Sequence, residues 1–433
     1  MKHELLRQVR LLDPATQCDR IADILISAGQ IAAIADSISD IPAETVQHDC
    51  SGLILGPGLV DLYCHSGTPG FEARETLGSL GRAAAAGGFT RLTLLPDTHP
   101  PIDTPDALKR LQAHPSQSVQ LQAWGAITQG IEGQHLVELS ELREAGVVGF
   151  SEEFPLTNLV LIRRLLEYLA PLQIPIALWP VQADLAAQGV IREGVQALRF
   201  GLPENPTAAE TTALAALLEL VAMVPAPVHI MRVSTARSVQ LIAAAKAAGL
   251  PITASTTWMH LLWNSNDIST YNTSLRLDPP VGNPDDQAAL IQGLRDGVLD
   301  AIATDHQSYT YEEKTVAFGQ APAGAIGLEL VLPILWQKFV ATKRWNPLNL
   351  WRKLSQHPAQ CLNQTPPTLQ VGQPAEMTLF DPQATWQADA NTLQTLGHNT
   401  PWLNQTIQGK VVRTWCPATH PDKFATVSVA TAT

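Results

Sequence analysis

A histidine, several carboxylates and an arginine fall just after short apolar runs, where a metal-dependent hydrolase would place its working residues. The stretch GLVDLYCHSGTPGFE (58–72) is the first of these. Its apolar run ends in Tyr63-Cys64-His65 and meets a Pro-Gly turn. On an extended strand, positions two apart share a face, so Tyr63 and His65 occupy paired slots in which two histidines would hold a metal ion. Later runs end in Pro96-Asp97-Thr98, Ser151-Glu152-Glu153, Trp179-Pro180 and Thr304-Asp305-His306, and HIMRV supplies His229 and Arg232. One histidine plus carboxylates can bind a divalent cation, whereas catalytic zinc usually has three protein ligands, often two or three of them histidines. The competing reading of His65 is a structural, hydrogen-bonding histidine. No phosphate-binding P-loop or dinucleotide glycine fingerprint occurs, nor a nucleophile elbow of the G-x-S-x-G type.

The elements that must position these residues alternate regularly. Apolar strands are predicted at 58–63, 89–95, 119–126, 147–150, 175–179, 227–233, 251–256 and 299–304, with Ala/Leu-rich helical stretches between them, such as 75–87, 208–224 and 236–249. Eight strand–helix units predict an α/β fold, a (β/α)8 TIM barrel over residues 56–355. Working residues of such a barrel sit at the C-terminal ends of its strands. His229 lies three residues before Arg232, so alternation sends the two to opposite faces and packs His229 behind the barrel. His306 follows Asp305 and reads as a strand cap. Residues 1–55 and 356–433 read as short strands with turns, and predict one small β-sandwich domain built from both chain ends.

Bulk properties narrow the function. The chain has 433 residues, 45% hydrophobic and only 16% charged, enough for a large core and for extensive protein contacts. A formal net charge of −12 argues against nucleic acid or an anionic membrane surface as partner. No run approaches the roughly 20 apolar residues of a membrane span. Five scattered cysteines suit reduced thiols and a cytoplasmic location.

The segments GPGLVDLYCHSGTPGFEARETLGSLGRAAAAGGFTRLTLLPDTHP, AGVVGFSEE, GVIREG, HIMRVSTARSVQLI, LRLDPPVGNPDDQAALIQGLRDGVLDAIATDH and AGAIGLE follow one another along the chain. In this order they resemble bacterial-type dihydroorotases of the amidohydrolase superfamily. RLLDP…ISAGQIAAI and GQPAEMTLFDP extend the resemblance to both ends. It implies a metal-dependent TIM barrel with a β-sandwich, acting on a cyclic amide in pyrimidine biosynthesis. It also implies which positions should carry the chemistry. Of the family's metal ligands, His65, the strand-4 carboxylate at Glu152 and the general base Asp305 remain, while Tyr63, Trp179 and Arg232 stand where histidines are expected. The positions that hold the substrate carboxylate read Gly67 for an arginine, Asp97 and Asp278 for asparagines and Tyr309 for a histidine.

Phenol, indole and guanidinium cannot replace imidazole as metal ligands: Trp has only an N–H donor, and Arg stays protonated. Without metal to lower the pKa of a bound water, no hydroxide forms near neutral pH. Asp97 and Asp278 would repel the substrate carboxylate, and Gly67 offers no clamp. Arg232 would instead supply fixed positive charge beside Asp305, Glu152 or both, since uncompensated buried carboxylates are costly. The expectation is a non-catalytic dihydroorotase-like protein without a cofactor, retained as a structural partner of aspartate transcarbamoylase, with a homo-oligomer also compatible. The alternative is an active dihydroorotase or other cyclic amidohydrolase with a single zinc on His65, Glu152 and Asp305. A third reading keeps the pocket as a sensor for a cationic or neutral polar ligand.

Overall fold

The computed structural model describes residues 3–113, 119–417 and 425–428. The remaining residues of the tail, at 418–424 and 429–433, lie outside the described residues. Strands β1 (His3–Asp13), β2 (Cys18–Ser27), β3 (Gln30–Ala35), β4 (Val46–Asp49) and β5 (Ile54–Pro57) open the chain. The barrel strands follow: β6 (Leu59–Cys64), β7 (Phe89–Leu94), β8 (Gln120–Ala123) with its continuation β9 (Gly125–Ala126), β10 (Phe150–Ser151) and β11 (Ile176–Leu178). A short parallel pair, β12 (Ile191–Arg192) and β13 (Glu204–Asn205), precedes β14 (Val228–Ile230), β15 (Ile252–Thr257) and β16 (Ala301–Ala303). β17 (Met377–Ala388), β18 (Gln405–Cys416) and β19 (Ala425–Ser428) close the chain.

The first and last groups form one eight-stranded sheet in the order β19-β18-β17-β5-β1-β2-β3, with β4 beside β1. The two chain ends meet where β17 runs antiparallel to β5. β1 is bulged between Leu6 and Val9, and pairs with β4 before the bulge and β5 after it. The sheet encloses a core from both ends of the sequence, including Leu6, Leu11, Ile24, Met377, Leu379 and Trp415.

The barrel strands are parallel, and their positions match the eight apolar runs predicted from the sequence. Closure between β16 and β6 rests partly on side chains: Asp61 accepts from the Thr304 amide (2.9 Å) and hydroxyl, and the His65 amide donates to His306 O at 2.9 Å. Helix Leu77–Ala86 shows how sequence sets the outer layer. Thr76 and Ser79 form a capping box, and Leu77, Leu80 and Ala83–Ala85 are buried. Gly56 ties the sheet to the barrel, because a Cβ there would lie 2.1 Å from the Trp351 ring, whose N–H donates to Pro57 O.

Strand alternation divides the core. Phe150, Ile176, Leu178, Val228 and Ile230 face the helices, while Ala177, Met231, Tyr63 and Trp124 fill the barrel.

Candidate functional site

The mouth of the barrel is organised around Arg232. Its Nε lies 3.0 Å from Asp305 Oδ2, and its Nη2 lies 2.8 Å from Oδ1. The same Nη2 is 3.0 Å from His65 Nε2. The guanidinium lies 4.9 Å from the Trp179 ring centroid and 5.9 Å from that of Tyr63. Of the three residues that stand at expected histidine positions, Arg232 therefore sits against the other two. Arg232 and Asp305 both adopt left-handed backbone (φ 54° and 48°), a conformation disfavoured for side chains of this kind. The ion pair is held by backbone turns at two strand ends.

Tyr63 is fully buried, and its hydroxyl meets Ser255 Oγ at 3.0 Å and accepts from the Arg232 amide at 3.2 Å. Burial raises its pKa, and nearby Asp305 adds to the effect. The phenol is a neutral strut across the barrel. His229 meets the same Ser255 Oγ at 2.8 Å and Thr253 Oγ1 at 2.8 Å, so it points into the barrel, not behind it. The alternation argument failed because β14 ends at Ile230 and the chain turns before Arg232. Burial holds His229 down to about 4, hence neutral. His306 is buried away from the mouth, with Nδ1 accepting from the Gly327 amide.

His65 is held from both sides. Nδ1 is hydrogen-bonded to Asp97 Oδ2 at 2.5 Å. Burial opposes the charged ring, but Asp97 and Asp305 outweigh it and raise the pKa to about 10. When bare, Nε2 accepts from Arg232; when protonated, it faces Asp305 Oδ1 at 3.6 Å. Asp305 likewise loses its desolvation penalty to Arg232 and His65, and is held down to about 2.

Glu152, the expected strand-4 ligand, does not reach this group. Its Oε1 accepts from the Thr128 amide (2.7 Å) and hydroxyl (2.5 Å), and burial pushes its carboxyl up to about 7. The next residue, Glu153, lines the mouth instead. Ser151 faces inward onto Met231, and alternation from it assigns the inward slot to Glu153. Arg74 was also missed. It lies 4.9 Å from the Tyr309 ring and is paired with Glu313.

Two cavities of about 200 and 270 Å³ share His65, Glu153, Gln307 and Tyr309. Asp278 lines the first and Asp97 the second. Gly67 belongs to the second, where a Cβ would lie 2.2 Å from Glu75 O. This loop path has no room for an arginine at that position.

A metal can be tested against these donors. Asp305 has both oxygens on Arg232, and Glu152 is turned onto Thr128. His65, Asp97 and Glu153 do approach one another within 4.8 Å. Yet Nδ1 of His65 is engaged by Asp97 and Nε2 faces the guanidinium. A divalent ion about 4 Å from that fixed cation would meet repulsion on the order of 8 kcal/mol at an effective dielectric of about 20. The donor set does not fit a catalytic metal.

Residues 52–238 match the family described as Dihydro-orotase-like. A probable dihydroorotase-like protein of Synechocystis sp. is 42% identical, over 95% of this chain and 99% of its own length. The dihydroorotase of Syntrophus aciditrophicus is 38% identical over 95% and 97%, respectively. Among solved structures, the L-hydantoinase (dihydropyrimidinase) of Arthrobacter aurescens superposes with a TM-score of 0.83 at 24% identity, over 96% of this chain and 94% of its own. The dihydropyrimidinase of Brevibacillus agri gives 0.81 at 18% identity, covering 98% and 96%. These structures share the barrel-plus-sheet architecture.

Proposed function

The chain belongs to the dihydroorotase-like family, and from that premise we propose that it is a non-catalytic member whose role is structural. The observation that carries this reading is Arg232, which takes both oxygens of Asp305 and abuts His65 Nε2. A general base held at about 2 by a buried guanidinium is a poor proton acceptor at neutral pH. Without a metal-activated water, opening a cyclic amide has no nucleophile in this mouth. The substrate side supports the same reading, since Asp97 and Asp278 are acceptors at positions where an anion needs donors, and the path at Gly67 excludes an arginine.

The structural role we propose is to hold aspartate transcarbamoylase in a larger pyrimidine-biosynthetic assembly in the cytoplasm. Val195 and Leu198, three residues apart on helix Val195–Phe200, are each at least 78% exposed, which supports contact with another protein. All five cysteines are free, as suits a reducing compartment. Among the described residues no helix is long and apolar enough to cross a membrane. Mixing the purified chain with aspartate transcarbamoylase and weighing the species by mass photometry tests the assignment. A discrete joint complex is expected, and two unmixed populations would remove the partner. Turnover of dihydroorotate is the separate test of inactivity.

A further inference from the structure

A cluster of positive charge without ion-pair partners among the described residues lies at the opposite end of the barrel. There the C-terminal end of helix Pro284–Asp296 meets helix Pro347–Leu354 around a cavity of about 580 Å³. Arg295, Arg344, Arg352 and Lys353 line it, with Asp296 as the lining carboxylate. The chain as a whole carries 28 basic against 40 acidic residues, so this ratio runs against the composition. Among the described residues, none of the four cations has a carboxylate within ion-pair distance. Arg352 donates to the neutral Asn349 Oδ1 at 3.2 Å, and Lys353 donates to Leu299 O at 2.8 Å.

Two buried groups point to a ligand that accepts hydrogen bonds. Lys353 is only 7% exposed, an ammonium satisfied by a single carbonyl. Such a group is costly without a counter-charge. Trp345, also 7% exposed, lines the cavity, and its indole N–H has no hydrogen-bond partner. Its ring is fixed by stacking on Phe339 at 4.4 Å, so the donor cannot readily swing out. The nearby acids offer little competition. Asp296 Oδ1 accepts from Gln292 at 2.8 Å, and Asp300 is held by Lys246 at 2.6 Å.

We propose that this cavity is a binding site for a phosphorylated small molecule. Guanidinium forks match phosphate oxygens in bidentate fashion, and several forks around one concavity favour more than one phosphate over a single carboxylate. The volume is in the range of small-molecule sites, which sets it apart from a flat basic surface for a polymer. Burial lowers the Lys353 pKa to about 8, and a bound anion would restore its charge fully. The site does not depend on the mouth, so it stands whether or not the protein catalyses anything.

Titration calorimetry of the full chain with inorganic pyrophosphate, ATP and adenosine at low salt tests the proposal. Saturable binding of pyrophosphate and ATP, with none for adenosine, is expected. The doubly substituted Arg295→Gln/Arg352→Gln protein, changed only at exposed or half-buried side chains, should bind about tenfold or more weakly. Arg232→Met in the mouth should leave the affinity unchanged. Tighter binding of ATP than of pyrophosphate would assign the site to a nucleotide; equal affinity would assign it to the phosphate groups alone. Absence of saturable binding, or binding indifferent to the double substitution, would overturn the proposal.

Discussion

At the C-terminal end of the barrel Arg232 is locked between Asp305 and His65, whereas at the N-terminal end Arg295, Arg344, Arg352 and Lys353 face an open cavity with no carboxylate partner among the described residues. The mouth spends its charges on one another; the base leaves them free. With Arg232, Asp305 and His65 spent on one another, the mouth has little charge left to offer a metal, although Asp97 Oδ1 and Trp179 Nε1 keep no hydrogen-bond partner. A site with orphaned donors still has something to bind. The difference leaves the central cation of the mouth engaged and the cations of the base without a carboxylate partner among the described residues.

The comparison breaks first if the mouth pair contributes nothing to the fold. Asp305→Ala leaves Arg232 charged and 5% exposed, and is expected to destabilise by about 3–5 kcal/mol in urea denaturation. Arg232→Met combined with Asp305→Leu should recover most of that loss, because the uncompensated charge is removed with its partner. A negligible cost for Asp305→Ala would mean that the pair is not structural. Next in size is Trp179→Ala. It removes a buried ring that packs against the guanidinium, and should cost about 3 kcal/mol by the same assay.

The two ends should also respond to pH with opposite signs. His65 is raised from 6.5 to about 10, so its contribution is complete below pH 6.5 and is lost as pH climbs toward 10. Asp305 is lowered from 3.8 to about 2, so its contribution is present above pH 3.8 and is lost as pH falls toward 2. Lys353 is lowered from 10.5 to about 8, so burying it costs most below pH 8, and the cost fades toward pH 10.5. Urea midpoints across this range should fall less steeply above neutrality in His65→Gln than in wild type. Lys353→Met should fall more steeply. Identical profiles for all three would dissolve the contrast. The smallest effect belongs to the base: Arg295→Gln should shift stability by no more than about 0.5 kcal/mol, since it breaks no ion pair.

Much of this was legible before the structure. Eight apolar runs at barrel spacing located every barrel strand, because a parallel strand buried on both faces reads as a near-continuous apolar run. Tyr63, Trp179 and Arg232 stand out in the sequence because each differs outright from imidazole in side-chain chemistry. The resemblance points to Glu152, whereas inward-facing Ser151 places Glu153 in the mouth. His229 was misplaced because alternation was carried past the end of a three-residue strand into a left-handed turn at Arg232. The basic cavity left no trace in the sequence, since its cations come from helix ends some fifty residues apart and form no motif.

Metal content separates an inactive mouth from a working hydrolase most directly. The protein should be expressed with added zinc, purified without chelator and measured by elemental analysis alongside dihydroorotate turnover. Substoichiometric zinc and no ring opening above background are expected. Stoichiometric zinc, with ring opening that disappears on chelation and returns with the metal, would contradict an inactive mouth.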